Sequence, residues 1–142
     1  MSRAYERKNN MYEIKPRCYV MAPYTKPEGQ EEENARRVIA AANILTDHDA
    51  VPFVPLLSHY WNLQHKHPWK FWIEYDLHWL LTCHFAVRLN IGVPSAGADI
   101  EQFVAETNQI PVFDWAWSDN VQTPSVPTLI LAWIHAWREL HA

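Results

Sequence analysis

Short apolar runs alternate with longer amphipathic segments along this chain, and this alternation restricts the fold more than any other feature. Runs typical of buried strands span residues 17–22, 51–57, 83–89 and 110–113. Segments in which apolar residues recur at helical spacing come between and after them. This order predicts a parallel sheet joined by right-handed crossovers, with helices on both faces. We therefore expect an α/β protein with four to five parallel strands.

Each expected helix has one apolar side that should face the sheet. The first helix follows a loop at residues 23–30, and the second begins at Pro68 and runs through about Leu81. The third follows a loop at residues 90–97, and an extra C-terminal helix spans residues 128–141. The side chains expected to be buried are, helix by helix, Val38, Ile39, Ala42 and Leu45; Trp72, Ile73, Leu77, Leu80 and Leu81; Ile100, Phe103, Val104 and Thr107; and Leu129, Trp133, Trp137 and Leu140. Residues 60–68 are expected to form a surface loop, and residues 114–127 a linker.

The length of 142 residues fits one domain. Residues 1–15 are polar and are expected to form an N-terminal arm. The domain then covers residues 16–142, with a C-terminal helical extension at residues 126–142. Tryptophans number eight and concentrate at residues 60–84 and 115–141. We expect most of them to be anchors of the core or of a subunit interface, because aromatic side chains dominate both kinds of packing.

Charge and cysteine content exclude several classes of partner. The formal net charge of −4 argues against a nucleic-acid polymer as partner, because such a protein needs a basic face for phosphate contacts. No apolar run approaches the ~20 residues that cross a bilayer, and residues 1–10 lack an apolar signal-peptide core. Cys18 and Cys83 lie inside apolar runs, as buried thiols do in a reducing compartment. We expect a cytoplasmic protein with no membrane partner.

Topology alone predicts where a ligand binds. In open parallel sheets, ligands bind beyond the carboxyl ends of the strands, near the point where the strand order reverses. The loops at residues 23–30, 57–68 and 90–97 should therefore surround the site. The chain contains three glycines, Gly29, Gly92 and Gly97, and all of them fall in these loops.

Glu101 is the first candidate for chemistry, since it lies in the opening turn of the third helix. It falls beside the apolar stripe of that helix, so its carboxylate should flank the crevice rather than enter the core. A helix N-terminus favours the ionised form, which suits a nucleophile. The alternative is a carboxylate that only complements the helix dipole. Ser95 and Gly97, just before it, could hold a phosphate on backbone amides or form an ordinary turn and cap.

Asp76 is the second candidate, because it falls within the apolar stripe of the second helix. A buried, unpaired carboxylate costs several kcal/mol in order of magnitude, so it needs partners or a purpose. The alternative to a functional role is an acid satisfied by backbone amides or by a nearby Arg or His.

The histidines show no metal-ligand spacing, and no Gly-rich phosphate loop or nucleophile elbow appears. We therefore expect neither a metal nor a cofactor. His59, together with Ser58, follows a strand end and is a candidate to line the crevice. A surface or core position is the alternative for this histidine.

Three segments in this order resemble the nucleoside 2-deoxyribosyltransferase-like proteins, which include deoxynucleoside 5-phosphate N-glycosidases. Residues 18–24 (CYVMAPY) resemble the family's first strand and substrate loop. Residues 75–77 (YDL) resemble the acidic segment in the family's helix before the third strand. Residues 95–105 (SAGADIEQFVA), followed by residues 110–112 (IPV), resemble its nucleophile segment. The resemblance covers residues 17–113, the core of the domain, and leaves out the arm and the last helix.

The resemblance implies a flavodoxin-like or Rossmann-like fold that is usually a homodimer or a higher homo-oligomer. Glu101 would attack the anomeric carbon of a nucleoside or nucleotide, Asp76 would assist departure of the base, and Tyr19 would orient Glu101. Seven further residues are expected to contact the substrate, five of them from the resemblance (Ala22, Pro23, Tyr24, Ser95 and Gly97) and two from their place after a strand end (Ser58 and His59). Serine at position 95 resembles the hydrolases that bind a 5-phosphate, so the resemblance favours hydrolysis of a nucleoside 5-monophosphate.

Other functions stay open on the sequence. A deoxyribosyltransferase would pass the sugar to a second base, and a nucleotide-binding sensor would keep the site without turnover. A partner-binding domain would use the aromatic last helix as its interface. The base, the sugar and the number of subunits are not determined.

Overall fold

The computed structural model describes residues 14–24, 28–120 and 124–142. Its strands are β1 (Arg17–Met21), β2 (Val51–Phe53), β3 (Phe85–Asn90) and β4 (Val112–Ala116). They form one sheet in the order β2-β1-β3-β4, and every neighbouring pair is parallel. The order reverses between β1 and β3, as in flavodoxin-like sheets. The predicted parallel α/β fold is therefore confirmed.

Helices cover both faces of the sheet. They are α1 (Glu31–Asp47), α2 (Ser58–Gln64), α3 (Trp69–Leu80), α4 (Ala96–Thr107) and α5 (Thr128–Leu140). Because side chains alternate along a strand, Cys18 and Val20 join one core with α1 and α5, while Tyr19 and Met21 join a second core with α3 and α4. The extra C-terminal helix is thus part of the packed domain. Within the described ranges, no helix has the length and apolar character needed to cross a membrane.

The chain between β2 and α3 differs from the prediction. The expected strand at residues 51–57 ends at Phe53, and Pro55–Leu57 forms a 3-10 turn instead. Proline has a helical φ and no N–H to donate, so Pro55 suits the start of a helical turn. Pro52 is tolerated within β2 because this strand lies at the edge of the sheet. The expected surface loop at 60–68 contains most of α2, a short helix with no buried residue. A seven-residue helix with no apolar stripe gives no periodic signal in the sequence.

The fourth strand extends past its predicted end at residue 113. Asp114 is exposed and Trp115 is buried, so the strand's alternation continues through a residue that looked like the start of the linker. The linker is correspondingly shorter, and its residues 121–123 lie outside the described residues. The predicted N-terminal arm also lies outside them, except for Ile14 and Lys15.

Several bulky residues assigned to buried helix sides are exposed. The exposed fractions are 37% for Ile100, 42% for Ile39, 51% for Leu81, 70% for Phe103, 73% for Leu129 and 79% for Leu140, while Thr107 is also exposed. The side of α4 that is buried carries Ala98, Glu101 and Ala105. Small residues let this helix approach the sheet closely, so residue size rather than hydrophobicity sets its orientation. On α3, Trp72, Asp76 and Leu80 are buried as predicted, while Ile73 and Leu77 are half-buried.

The aromatic and thiol predictions have mixed outcomes. Trp72 and Trp115 are buried, whereas Trp61, Trp69 and Trp79 are about half exposed. Cys18 and Cys83 are buried free thiols.

Candidate active site

A cavity of about 330 Å³ lies beyond the carboxyl end of β1, beside the point where the strand order reverses. All three loops predicted to surround the site contribute to its wall. Of the residues expected at the site, eight line it: Ala22, Pro23, Tyr24, Ser58, Asp76, Ser95, Gly97 and Glu101. Tyr19 and His59 do not line the cavity, and each instead contacts a residue that does.

Glu101 enters the cavity from the buried side of α4 and is only 5% exposed. The expectation that it flanks the crevice, off the buried stripe, is therefore wrong. Its neighbours on that side are Ala98 and Ala105, three residues before it and four after it, which are the helix spacings that share a face.

Burial raises the pKa of Glu101 to about 8, and the nearby Asp76 carboxyl adds to the rise, while the Tyr19 hydrogen bond and the Arg88 cation oppose it. The predicted preference for the ionised form is thus reversed. A helix N-terminus stabilises a carboxylate by up to ~1 kcal/mol at an exposed site. The rise from 4.5 to about 8 corresponds to about 5 kcal/mol, so desolvation dominates.

Tyr19 lies behind Glu101 and donates its hydroxyl hydrogen to the Oε2 atom of that residue. The tyrosine is fully buried. Its ring stacks on Phe53 at 5.7 Å, and Phe53 stacks on Trp79 at 5.4 Å. Burial and the neighbouring acids raise the pKa of Tyr19 well above its usual value, so the hydroxyl stays protonated. The packed rings hold a permanent donor against one oxygen of Glu101.

Asp76 reaches the same cavity from α3 and is 7% exposed. Its Oδ1 atom is buried and has no hydrogen-bond partner among the described residues. Backbone amides, arginine or histidine from that part of the chain therefore do not satisfy it. Burial raises the pKa of Asp76 to about 7. A carboxyl with this pKa can give up or take a proton near neutral pH.

Ser95 and Gly97 lie where β3 returns into α4. The Ser95 Oγ atom caps the helix by accepting the Ala98 backbone N–H at 3.1 Å. Gly97 does not have a positive φ; a Cβ there would approach the Ile73 Cδ1 atom to 3.3 Å. The missing side chain at Gly97 thus lets Ile73 of α3 pack closely against the start of α4. The turn-and-cap interpretation of this segment holds, and the serine hydroxyl hydrogen remains able to donate to a ligand.

Tyr24 and His59 form a contact beside the cavity mouth. The Tyr24 hydroxyl and the His59 Nδ1 atom are 2.5 Å apart, and the two rings meet edge to face. The buried Asn34 donates its side-chain amide to the Tyr24 carbonyl at 2.7 Å. His59 therefore supports Tyr24 from outside the cavity, while Ser58 lines the cavity itself.

Ten lining residues were not among the site residues expected from the sequence, and four of them form one part of the wall: Asn62, Trp69, Trp72 and Ile73. Trp69, Trp72 and Asp76 recur at helical spacing directly after Pro68, and that pattern could have identified the aromatic wall. The Trp72 Nε1–H donates to the Asn62 Oδ1 atom at 2.7 Å, which joins α2 to α3. This contact crosses two elements and leaves no local pattern.

The cavity thus holds two carboxyl groups with raised pKa values between aromatic and aliphatic walls. Across the described ranges, no three His, Cys, Asp or Glu side chains come together as a metal-binding group. The chain matches no protein-family model and no curated protein.

Proposed function

We propose that this protein cleaves the N-glycosidic bond of a ribo- or deoxyribonucleoside 5-monophosphate. The observation that carries the proposal is a pair of buried carboxyl groups, Glu101 and Asp76, which line one cavity; the Asp76 carboxyl adds to the raised pKa of Glu101. Two carboxyls that flank a glycosidic bond can serve as nucleophile and proton donor. The resemblance of residues 17–113 to deoxyribosyltransferase-like proteins assigns the same two residues.

In the first step, a Glu101 oxygen forms a bond to the anomeric carbon while the bond from that carbon to the base breaks. The departing base nitrogen, or an atom conjugated to it, takes the proton of Asp76. The product is a glycosyl ester on Glu101 and a neutral free base. In the second step, water attacks the same carbon and gives its proton to the Asp76 carboxylate while the bond from that carbon to the Glu101 oxygen breaks. This releases the sugar phosphate and restores the Glu101 carboxylate and the Asp76 acid.

The reactive state needs Glu101 ionised and Asp76 protonated, so the pair must hold one proton. The raised pKa values of both groups place the one-proton state of the pair between about pH 7 and pH 8. Because the pKa of Glu101 is the higher of the two, the reactive arrangement is the minor form of that state. The apparent values describe the pair as a unit. The Tyr19 hydroxyl favours the proton distribution that chemistry requires, because it donates to Glu101 and thereby stabilises its anion.

The cavity walls fit the remaining parts of a nucleotide. The indole rings of Trp69 and Trp72 supply apolar faces suited to a base. At the start of α4, the Ser95 hydroxyl and the backbone N–H groups of Ala96 and Gly97, residues that line the cavity, are suited to a phosphate. These contacts favour a phosphorylated nucleoside over a free one.

The test is chromatography of free bases after incubation of the protein with ribo- and deoxyribonucleosides and their 5-monophosphates. The protein should release base, and Glu101→Gln should lower the rate at least about 1,000-fold, because it removes the nucleophile. Glu106→Gln is the matched control, since Glu106 is exposed on the same helix. Release by Glu101→Gln at the unmodified rate would refute the proposal. Release that requires a second base would instead assign a transferase.

A further inference from the structure

The side-chain amide of Asn62 is held in one orientation on the cavity wall. Its Oδ1 atom accepts the Trp72 Nε1–H at 2.7 Å and the His67 backbone N–H at 2.9 Å. Indole and backbone N–H groups can only donate. The oxygen must therefore face them, and exchanging the oxygen and nitrogen of the amide would place N–H against N–H twice.

This orientation leaves the Nδ2 group as the free end of the amide. No residue in the ranges 14–24, 28–120 and 124–142 accepts a hydrogen bond from it. Asn62 lines the cavity and is partly exposed. It offers a ligand two N–H donors and, because its oxygen is already used twice, no acceptor.

The Asn62 amide is joined through Trp72 to the helix that carries the proposed proton donor. Its partner Trp72 precedes Asp76 by one turn of α3, a rise of about 6 Å. Both side chains line the same cavity. A base that places its leaving nitrogen toward Asp76 would present a neighbouring ring substituent to Asn62.

We infer that Asn62 is a specificity-determining residue that selects a base carrying a carbonyl group over one carrying an amino group. This inference rests on the proposed function. A carbonyl oxygen accepts the Nδ2 hydrogen, whereas an exocyclic amino group opposes it with another donor. An asparagine with both ends free reads adenine by accepting from N6 and donating to N7. Here the accepting end is occupied, so hypoxanthine should be preferred to adenine and uracil to cytosine.

The test measures nucleotide binding by titration calorimetry, with Glu101→Gln present in every protein so that the ligand is not consumed. The ligands are the inosine, adenosine, uridine and cytidine 5-monophosphates. For the ring size that binds, the oxo nucleotide should bind about tenfold more tightly than its amino counterpart, the ratio expected when one polar group is left unpaired.

Changing Asn62 should change that ratio in a set direction. Asn62→Asp keeps an oxygen for Trp72 and His67 and turns the free end into an acceptor, so the amino nucleotide should become the preferred one. Asn62→Ala removes the donor and should bring the ratio to about 1. Gln64→Glu makes the same amide-to-acid change on the exposed side of α2 and should leave the ratio unchanged. Thermal unfolding identifies any variant that is not folded.

The outcomes separate this inference from the proposed function. Equal binding of oxo and amino nucleotides, or a ratio that Asn62→Asp leaves unchanged, would overturn the role of Asn62 while nucleotide binding stands. Absence of binding by all four nucleotides would overturn the proposed function, and the inference with it.

Discussion

Replacing Asp76 with asparagine should stabilise the protein above neutral pH and abolish base release. The reason is that the folded chain holds this carboxyl in a buried place without a partner for Oδ1. Its pKa rises from 3.8 to about 7 on folding. A carboxyl whose folded pKa is raised contributes most stability below its unfolded pKa. That contribution is lost as pH rises toward the folded pKa.

The size of the effect follows from the two pKa values. A rise of about three units corresponds to up to about 4 kcal/mol between the fully protonated and the fully ionised limits. About 2.5 kcal/mol of this is lost between pH 5 and pH 8. Asparagine has nearly the same shape as aspartate and does not ionise. The free energy of unfolding of Asp76→Asn therefore does not show this loss. Removal of the Asp76 charge also lowers the pKa of Glu101. This too makes Asp76→Asn more stable than the unmodified protein at high pH.

The assay is urea unfolding of the unmodified protein and Asp76→Asn at pH 5 and at pH 8. The free-energy difference between the two proteins should shift by about 2.5 kcal/mol in favour of Asp76→Asn at pH 8. Comparing two pH values cancels any constant difference between an amide and a protonated acid. Glu74→Gln, on the exposed side of the same helix, should show a shift near zero. A difference that is the same at both pH values would refute the claim that Asp76 is buried without compensation.

Three further predictions concern the acid pair and the packing. The pH profile of base release should be bell-shaped with a maximum between about pH 7 and pH 8, because Glu101 must ionise and Asp76 must keep its proton. Initial rates from pH 5 to 10 measure this profile, and a rate still rising at pH 10 would exclude Asp76 as the proton donor. Tyr19→Phe should move the acidic limb of that profile to higher pH by about one pH unit and lower the rate at pH 7 about tenfold, because a hydrogen bond to a charged group is worth ~1.5–3 kcal/mol. An acidic limb that stays at the same pH would contradict the role of the Tyr19 hydroxyl. Phe103→Ala should change the free energy of unfolding by less than about 0.5 kcal/mol, because Phe103 is 70% exposed. Phe85 is fully buried, so Phe85→Ala should lower that free energy by about 3–5 kcal/mol. Urea unfolding compares the two variants, and equal losses would show that Phe103 is a core residue.

The fold could be predicted from the sequence because its signals are local and repeated. Short apolar runs separated by helical segments imply crossovers, and crossovers imply parallel pairing. The position of the cavity followed from the same topology. The burial of Asp76 was also predictable, since Trp72 and Leu80 lie one turn to either side of it on a strongly apolar stripe.

The orientation of α4 could not be predicted by counting bulky apolar residues. Ala98 and Ala105 pack against the sheet because they are small, while Phe103 points outward. The same error placed Glu101 at the rim of the crevice. Without its burial, the helix N-terminus was the only effect considered on its pKa, and that effect favours the ionised form. Its actual burial depends on contacts with Tyr19, which lies 82 residues away in the chain.

Other parts of the site depend on contacts between distant segments. The helix α2 has no buried residue, so no apolar stripe in the sequence predicts it. The orientation of the Asn62 amide is set by the Trp72 indole on α3. The assembly into a homodimer or higher homo-oligomer stays a prediction, as do the roles proposed for Ala22, Pro23 and Ser58.

The central claim is that Glu101 forms a covalent ester with the sugar, and the configuration of a trapped product tests it most directly. The protein is incubated with a nucleoside 5-monophosphate in water containing methanol, which competes with water for the ester. NMR then identifies the methyl glycoside. Two successive displacements at one carbon predict the retained β configuration. An inverted α product would show that the acceptor attacks the nucleotide directly, and would contradict a nucleophilic Glu101.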